Sequence, residues 1–460
     1  MTAEHEPAPR GARGAGPQWD LIETPLNRRS LLQAGLGSAA GFWLADHARR
    51  PARAAAPDPK AKAVIQIWMW GGPCQHDTFD PKPDAGSDYC GPLTGTCATN
   101  VPGTHIGQLL PELAKLADKY AIIRSMTHGQ NGHETASYMV QTGHPAGGKL
   151  VYPSAGGVVS KFLGVDAGYE SLIPPYIVLT KPQGRFSEAG FLGSNYKPFA
   201  TGGDPSRPRF AVEGIVAEGI SDERQRARRE LWSNLNSLGG VLKNDPRLES
   251  LRKCENKAYD LILGDAGKVF DLSEEKDEVR EKYGRTTFGQ SCLVARRLIE
   301  KGVKYVTINY NGWDTHKKHF PAMQRMLPQL DKGMAALIQE LSERGLLETT
   351  IVWWSGEFGR TPKVQWEPPW NGGRGHYGAC FSSVLAGGGF TGGAVVGQSD
   401  DKAAYVTQRP VYPWDLLGSM YQLLGIDPDG TIPHPHAMEL ALLPKKEDGV
   451  EVGGRLTEIT

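Results

Sequence analysis

The sequence predicts an α/β fold in which a mostly parallel sheet is sandwiched between helices. Three observations support this prediction: apolar runs of strand length recur along the chain, amphipathic helical stretches separate them, and glycine-rich or polar loops follow them directly. Strands of a parallel sheet form nearly continuous apolar runs because helices cover both faces. The 460 residues fit one large α/β domain with insertions, or two or three smaller domains.

The first half of residues 60–460 contains three predicted strands. An apolar run at 64–70 ends at the glycine-proline turn 71–73 and leads into a polar loop. The segment QLLPELAKLADKYAIIRSM predicts a helix followed by a strand at 120–124, and the segment at 175–180 predicts another buried strand. The carboxyl end of such a strand is the usual place for a site in an α/β sheet.

The second half begins with a charged segment and then returns to alternating strands and helices. Residues 204–300 are rich in Arg, Glu, Asp and Lys and predict a solvated helical insertion. A strand is predicted at 303–310, and an apolar stripe over 320–341 with spacings of three and four predicts a helix that Gly345 ends. The stripe spans only about three heptads, which favours a core-facing helix over a coiled coil. Strands at 349–354 and within ACFSSVLAGGG complete the set.

Composition and charge exclude several classes of protein. Lys+Arg and Asp+Glu both total 51, so the formal net charge is zero and no global field attracts nucleic acid. The 57 glycines and 33 prolines show no period, which excludes collagen-like and repeat architectures. No stretch has the roughly 20 apolar residues that a stable membrane span requires.

The first 59 residues predict a twin-arginine signal and a disordered N-terminus, followed by one domain over 60–460. Arg28 and Arg29 precede a short, mildly apolar run, and an alanine-rich cleavage-like site follows at 54–56. A basic segment that arose by chance is the alternative. The signal predicts folding in the cytoplasm, passage through the twin-arginine export machinery, and a periplasmic or secreted protein.

The six cysteines include no CxxC pair, which argues against a zinc ribbon. Cys90 and Cys97 enclose a turn-rich loop, where a local disulfide is reasonable in an oxidising compartment. The pairing of cysteines does not follow from the sequence.

Four loops next to predicted strands carry the acidic, imidazole and guanidinium groups from which metal and anion sites are built: Asp77; Asp314 and His316; Glu357 and Arg360; Arg374 and His376. Asp314 and His316 lie two residues apart, so an extended loop points both to the same side. Carboxylate with imidazole suits Zn, Mn or Fe. An arginine can clamp an oxyanion. The structural alternatives are a helix N-cap, an Asx turn, a surface Glu–Arg pair and an exposed loop histidine.

The stretch HGQNGHETASYMVQTGHP at 128–145 is a fifth candidate. Three of the twelve histidines fall within it, and His133 and Thr135 lie where a helix is predicted to begin. A hydroxyl at a helix N-terminus is a candidate nucleophile, because the helix dipole and a metal can activate it. Ordinary capping is the alternative for Thr135.

Together, the motifs WMWGGPCQHDTFDPKP, HETASYMVQTGHP, WDTHKKHF, WWSGEFGRTP and GRGHYGACFSSVLAGGG resemble a widespread bacterial family of exported proteins, domain of unknown function 1501. The resemblance covers the chain from about residue 60 onward and implies an alkaline-phosphatase-like core, which sulfatases and phosphodiesterases share. It implies hydrolysis of phosphate or sulfate esters at a divalent metal (Zn, Mn or Ca) on the strand ends. The ligands that it implies are Asp77, Asp314, His316, Glu357 and His376.

The resemblance also implies roles for other residues. It places His133 near the nucleophile of sulfatases, so that His133 or Thr135 would act as base or nucleophile. Arg360 or Arg374 would bind the substrate oxyanion. Phe358 departs from the superfamily pattern, because it stands where a metal-binding histidine is expected.

Three functions therefore stay open. The leading one is an exported metal-dependent hydrolase of a small-molecule or glycan ester, of the sulfatase or phosphatase type. The second is a non-catalytic metal- or glycan-binding envelope protein with a degenerate site, which the Phe358 departure favours. The third is an ester hydrolase that uses a serine or threonine without a metal.

Overall fold

The computed structural model describes residues 58–181, 188–207, 210, 223–224, 227, 230–231, 265–434 and 436–460. Almost all of the predicted signal and much of the predicted insertion at 204–300 lie outside these residues, as does Cys254. None of the helices in the described part of the chain has both the length and the apolar character needed to cross a membrane.

The strands of the described residues are short to medium in length. In chain order they are β1 (Ala63–Trp68), β2 (Thr96–Ala98), β3 (His105–Gly107), β4 (Tyr120–Met126), β5 (Tyr176–Leu179), β6 (Phe199–Ala200), β7 (Tyr305–Asn309), β8 (Thr350–Ser355), β9 (Gly359–Arg360), β10 (His376–Tyr377), β11 (Phe381–Ala386), β12 (Val395–Val396), β13 (Gln398–Ser399), β14 (Val406–Gln408), β15 (Thr431–His434) and β16 (Met438–Ala441). Each predicted strand thus corresponds to an observed one, which confirms those predictions.

The α-helices of the same residues are α1 (Ser87–Cys90), α2 (Pro111–Ala114), α3 (His133–Thr142), α4 (Ala155–Val159), α5 (Asp277–Tyr283), α6 (Thr287–Glu300), α7 (His319–Glu343) and α8 (Pro413–Leu423). The helix predicted over 320–341 is confirmed as α7. The helix predicted ahead of β4 is shorter than expected, because the segment forms only α2 and a 3₁₀ turn at Ala117–Lys119.

Eight strands form the central sheet, in the order β12-β4-β11-β8-β1-β7-β5-β6. Strand β1 pairs in parallel with both β7 and β8, and β5 pairs in parallel with β6 and β7. Strand β11 is antiparallel to both of its neighbours, β4 and β8. The sheet is therefore mixed and mostly parallel, which confirms the predicted α/β class.

Apolar side chains cover both faces of this sheet. Alternation along β1 directs Ile65 and Ile67 into one layer, which includes apolar residues of α6 and α7. Val64 and Trp68 enter the opposite layer, which includes apolar residues of α3, α4 and α8. Helices therefore lie against both faces, as the continuous apolar strands predict.

One edge of the sheet gathers the loops that carry the candidate residues. Strands β1, β4, β7 and β8 run in the same direction, so their carboxyl ends lie at the same edge. Because β11 runs in the opposite direction, its amino end also lies there, and β10 directly precedes it. Loops distant in sequence therefore meet at this edge.

The cysteines of the described residues are all free. The Sγ atom of Cys90 contacts the carbonyl oxygen of Lys82 at 2.8 Å, and that of Cys97 contacts the carbonyl oxygen of Gln108 at 3.4 Å. The local disulfide considered for Cys90 and Cys97 is therefore absent from the structure.

Candidate metal centre

Three imidazoles and one carboxylate meet at the edge of the sheet, and we call them the His₃Asp cluster: His133, Asp314, His316 and His376. The Nε2 atoms of His316 and His376 lie 2.8 Å apart, and each lies 3.1 Å from Oδ1 of Asp314. The Nε2 atom of His133 lies 3.3 Å from Oδ2 of Asp314. Two ligands of one ion, bound at about 2.0–2.1 Å, stand roughly 2.8–3.4 Å apart. The contacts of Asp314 with the rings have this spacing. The ligand atoms of His133, Asp314 and His376 all lie within 4.8 Å of one another, and His316 lies beside this set, against Asp314 and His376.

Different elements deliver these side chains. His133 begins α3 just after β4, and Asp314 and His316 lie in the loop between β7 and α7. His376 belongs to β10, which pairs with β9 so that His376 lies opposite Arg360. The β9–β10 pairing therefore fixes one ligand beside the loop that follows β8.

Hydrogen bonds on the far side of two imidazole rings determine which nitrogen faces the cluster. The Nδ1 atom of His376 lies 2.8 Å from the carbonyl oxygen of Asn131, and Nδ1 of His133 lies 2.7 Å from Oε1 of Glu357. Carbonyl and carboxylate oxygens accept hydrogen bonds, so both Nδ1 atoms carry a proton. In the neutral rings both Nε2 atoms therefore present lone pairs to the cluster, as metal-binding histidines do.

The lone pairs of the cluster face one another. The Nε2 atoms of His133 and His376 point at the carboxylate of Asp314, which also has only lone pairs to offer. Such an arrangement is favourable only when a positive charge lies among the groups, either a metal ion or protons on the rings. The donor set, three imidazoles and one carboxylate, suits Zn, Mn or Fe.

The electrostatics of the cluster keep its carboxylate charged. Burial opposes ionisation of Asp314, but the hydrogen bond and the charge of Arg360 outweigh it and lower the pKa of Asp314 to about 2. The hydrogen bond with Glu357 raises the pKa of His133, whereas burial lowers the pKa of His316. The side chain of Asp314 is 41% exposed, so the cluster is open to a ligand from solvent.

Glu357 lies behind His133. Its buried Oε1 accepts hydrogen bonds from Nδ1 of His133 at 2.7 Å and from the backbone N–H of Gly71 at 2.9 Å. His128 donates from Nε2 to the carbonyl oxygen of Glu357 at 2.7 Å, because its Nδ1 accepts from the N–H of Gln130. The sequence suggested that Glu357 binds a metal directly, but the structure places it where it orients a ligand.

A glycine permits this arrangement. Gly71 has a φ of 109°, and a Cβ atom there would lie 2.2 Å from the backbone nitrogen of Asp314. Only glycine lets the loop after β1 approach the loop after β7 so closely.

We expect Glu357→Leu to weaken divalent-metal binding about 10–100-fold. Leucine keeps much of the size of the side chain but removes the acceptor that the N–H groups of His133 and Gly71 share. The ring of His133 then loses the hydrogen bond that holds its proton at Nδ1 and its lone pair at Nε2. The measurement is the affinity for Zn²⁺ or Mn²⁺ by competition with a chelator, with the exposed Glu348→Leu as control. An affinity unchanged in Glu357→Leu would contradict the orienting role.

The guanidinium group of Arg360 binds the carboxylate of the cluster from the interior of the protein. It is fully buried and donates from Nε to the carbonyl of Gly72 at 3.1 Å and from Nη1 to the carbonyl of Arg374 at 3.0 Å. Its Nη2 donates to Oδ1 of Asp314 at 2.6 Å and to the carbonyl of Gly71. The structure thus places Arg360 behind Asp314, with these donors directed at protein groups and not at a substrate oxyanion.

The side chains of Arg374 and Thr135 also form their hydrogen bonds with backbone carbonyls and not with the His₃Asp cluster. The buried guanidinium of Arg374 donates to the carbonyls of Thr361, Pro362 and Tyr89, and it lies 5.6 Å from the centre of the Phe320 ring. The hydroxyl of Thr135 donates to the carbonyl of Gly132 at 3.1 Å on the exposed first turn of α3. This is a local bond from the side chain back to the helix backbone, and it differs from the capping alternative, in which the side-chain oxygen would accept from a backbone N–H.

Asp77 belongs to a second, fully buried group beneath the cluster. Its Oδ2 lies 2.5 Å from Nε2 of His319, and the ligand atoms of Cys74, Asp77 and His319 lie within 4.8 Å of one another. The predicted ligands are thus divided: Asp314, His316 and His376 come together, whereas Asp77 and Glu357 lie elsewhere.

Aromatic rings form part of the walls around the cluster. Phe358 stacks on His376 with ring centroids 4.5 Å apart, and its centroid lies 5.2 Å from that of His133. Trp70 stacks on the ring of His133 at 5.3 Å. Phe358 therefore occupies, with an apolar ring, the place where the resemblance expects a further metal ligand.

The sequence indicated some of the supporting residues only weakly. His128 lies in the histidine-rich stretch 128–145, and His319 follows the motif with Asp314 and His316, but no pattern assigned either a role. Asn131 contributes a backbone carbonyl, which no residue type reveals. His133 was predicted to act in catalysis, and the structure places its Nε2 atom 3.3 Å from Oδ2 of Asp314, within the cluster.

Comparisons with known proteins give one family match and distant structural likenesses. No curated protein matches the chain. A sulfatase from Pseudoalteromonas sp. is 14% identical with a TM-score of 0.34, over 88% of this chain and 74% of that one. A phosphonate monoester hydrolase from Silicibacter pomeroyi is 10% identical with a TM-score of 0.34, over 80% and 74%. A protein in the alkaline phosphatase superfamily from Vibrio parahaemolyticus is 10% identical with a TM-score of 0.33, over 81% and 68%.

These structural likenesses are distant, and the activities named are those of the other proteins. The comparison of sequence with family models is more decisive, because one match extends over most of the chain and includes every residue of the His₃Asp cluster. Residues 61–445 match the family described as "Protein of unknown function (DUF1501)", and the chain belongs to that family.

Proposed function

We propose that this protein is a metal-dependent hydrolase of phosphate or sulfate esters that acts in the periplasm or outside the cell. The observation that carries the proposal is the convergence of lone pairs from His133, His376 and Asp314 at an exposed edge of the sheet. A set of three protein ligands, here His133, Asp314 and His376, leaves a further position on the ion for water or substrate.

Each residue of the cluster has a separate task in this proposal. His133 and His376 would hold the ion through Nε2, Asp314 would hold it through its carboxylate, and His316 lies beside them against Asp314 and His376. Glu357 and the carbonyl of Asn131 hold the rings of His133 and His376 in the required tautomer. A divalent ion held there would polarise an ester oxygen and lower the pKa of a bound water.

The first turn of α3 supports binding of an anionic ester. His133 is the first residue of this ten-residue helix, and no side chain caps its N-terminus. The backbone N–H groups and the dipole at a helix N-terminus favour a negative group, and this terminus lies beside the cluster. The same turn that supplies a metal ligand is thus suited to bind the oxyanion for which Arg360 and Arg374 were first considered.

Water is the nucleophile that this arrangement favours. The hydroxyl of Thr135 donates to the carbonyl of Gly132, so its hydrogen is directed at the backbone and not at a base. In the proposed reaction, the oxygen of water forms a bond to phosphorus or sulfur and gives up one proton to solvent. The bond to the ester oxygen breaks, and the alcohol leaves with a proton taken from solvent.

A binding protein without turnover is the second candidate. It is favoured by the Phe358 ring, which stacks on His376 where a further ligand is expected, and by the engagement of Arg360 with protein groups. Such a protein would retain one ion and bind a glycan or an envelope partner through it.

The metal content of protein purified without a metal-affinity tag tests both candidates. We expect about one divalent ion per chain in the wild type by mass spectrometry, and its loss in Asp314→Ala and His376→Ala. The same three proteins are then assayed against phosphate and sulfate esters with and without chelator. Chelator-sensitive turnover supports the hydrolase, and metal without turnover supports the binding protein. A wild type without metal would refute both.

Export is a separate part of the proposal. It rests on Arg28, Arg29 and the short apolar run after them, which lie outside the described residues. Replacing both arginines by lysine tests it, because the full-length protein should then remain in the cytoplasmic fraction. Unchanged delivery to the periplasm would contradict this part alone.

A further inference from the structure

We propose that Asp77, His319 and Thr315 form a buried hydrogen-bonded chain that positions the ligand-bearing loop 313–319. Asp77 acts on the metal centre through His319 and Thr315, and not as a ligand. This inference rests on the proposed metal centre and assigns a role to three residues beneath it.

The chain is continuous and shielded from water. The Oδ2 atom of Asp77 lies 2.5 Å from Nε2 of His319, and Nδ1 of His319 lies 2.6 Å from the hydroxyl of Thr315. The side chains of Asp77 and His319 have no exposed surface, and Thr315 is 5% exposed. In this low-dielectric interior such hydrogen bonds are strong and their loss is costly.

The chain joins three segments of the protein. Asp77 comes from the loop after β1, His319 is the first residue of α7, and Thr315 lies in the loop after β7. The carboxylate of Asp77 accepts the proton on Nε2 of His319, so the ring cannot turn without breaking both of its bonds. His319 thereby ties the middle of loop 313–319 to the loop after β1.

Thr315 transmits this constraint to the ligands because it lies between Asp314 and His316. Burial alternates along the loop: Trp313 and Thr315 are buried, whereas Asp314 is exposed and His316 is half-buried. An alternating segment anchored on its inner side holds its outer side chains in place. The hydrogen bond to Thr315 on the buried side of the loop therefore fixes the directions of Asp314 and His316 on its exposed side.

A second metal ion is the competing interpretation of the same residues. Cys74, Asp77 and His319 could offer one ligand atom each within 4.8 Å, and Oδ1 of Asp77 has no hydrogen-bond partner. However, Oδ2 of Asp77 lies only 2.5 Å from Nε2 of His319, which is closer than the roughly 2.8–3.4 Å between ligands of one ion. That distance fits a hydrogen bond between the two groups.

The experiment compares Thr315→Val with Thr315→Ser by measuring the number of bound ions and the affinity for Zn²⁺. Valine keeps the shape and removes the hydroxyl, whereas serine retains it. We expect Thr315→Val to bind one ion about 10–100-fold more weakly than the wild type, and Thr315→Ser to stay within about threefold. The melting temperatures of the metal-free proteins are recorded alongside.

Thr307→Val is the matched control. Thr307 lies in β7, away from the loop, and its buried hydroxyl donates to Gln66 of β1. A purely structural hydroxyl lowers the melting temperature without changing the affinity, and Thr307→Val should behave in this way. If Thr315→Val does not fold, Asp77→Asn replaces it, with the same expected loss of affinity and an unchanged number of ions.

Three results would overturn the inference in distinguishable ways. Wild-type affinity in Thr315→Val or its replacement would refute the positioning role and leave the proposed function intact. Two ions in the wild type, one of them lost in both Cys74→Ser and Asp77→Asn, would establish the second metal site instead. A wild type that binds no ion would refute the proposed function, and the inference would fall with it.

Discussion

Asp314→Asn is expected to lower the affinity for Zn²⁺ or Mn²⁺ by more than the ~10–100-fold typical of residues that only orient a ligand. Asp314 contacts all three imidazoles of the cluster, at 3.1 Å for His316 and His376 and at 3.3 Å for His133. The asparagine amide removes the negative charge and can itself donate to the lone pairs of the rings. The cluster would then be satisfied without an ion.

The measurement is metal content after dialysis, followed by titration of the metal-free protein with each ion. Asp88→Asn is the matched control, because the side chain of Asp88 is 62% exposed and lies outside the cluster. Hydrolytic activity, where the wild type has it, should disappear with the metal. Retention of a wild-type ion by Asp314→Asn would remove Asp314 from the ligand set.

Arg360→Met is expected to reduce the free energy of unfolding by about 3–5 kcal/mol, because several buried acceptors lose their donor at a cost of about 1–3 kcal/mol each. The guanidinium is fully buried and makes hydrogen bonds to Asp314 and to the carbonyls of Gly71, Gly72 and Arg374. Methionine fills much of the volume but leaves these acceptors without donors. The effect comes from several loops losing one shared partner.

Urea unfolding of the metal-free protein measures this effect and separates it from metal binding. Arg344→Met is the matched control, because Arg344 pairs with Glu300 at 3.0 Å with 44% of its side chain exposed. Exposed pairs contribute about 0–1 kcal/mol, so the control should unfold nearly as the wild type does. If Arg360→Met changed the free energy of unfolding by less than about 1 kcal/mol, the packing of these loops would not depend on Arg360.

The sequence predicts the layers of the fold well because they depend on local periodicity. The apolar stripe of α7 and the continuous apolar strands β1, β7 and β8 are each contained in one short segment. The direction of β11 is different, because an apolar run looks the same in either orientation. Its antiparallel pairing with β4 and β8 is a property of the whole sheet.

The direction of β11 also explains why His376 reaches the cluster. The GRGHYG loop precedes its strand, whereas the other three loops follow theirs, so His376 reaches the same edge only because β11 is reversed. The sequence also did not show which carboxylate belongs to the His₃Asp cluster. Asp77 and Glu357 have the same chemistry as Asp314, and only the three-dimensional contacts show which carboxylate meets three imidazoles and which meets one.

The short β9–β10 ladder closes the base of the chain segment that joins its two strands. His376 lies opposite Arg360 in this ladder, and the N–H of Thr361 donates to the carbonyl of Gly375 at its base. The segment between them carries Trp366, which is 47% exposed, and Trp370, whose ring centroid lies 6.2 Å from that of His316. Part of this segment is tied to its surroundings, because the carbonyls of Trp370 and Gly372 accept hydrogen bonds from the N–H groups of Lys318 and His319. The exposed tip at 366–369 can therefore diverge during evolution, or be exchanged by grafting, while the ladder and these bonds keep its base in place. Under the proposed function, selectivity would be encoded in the tip and reactivity in the base.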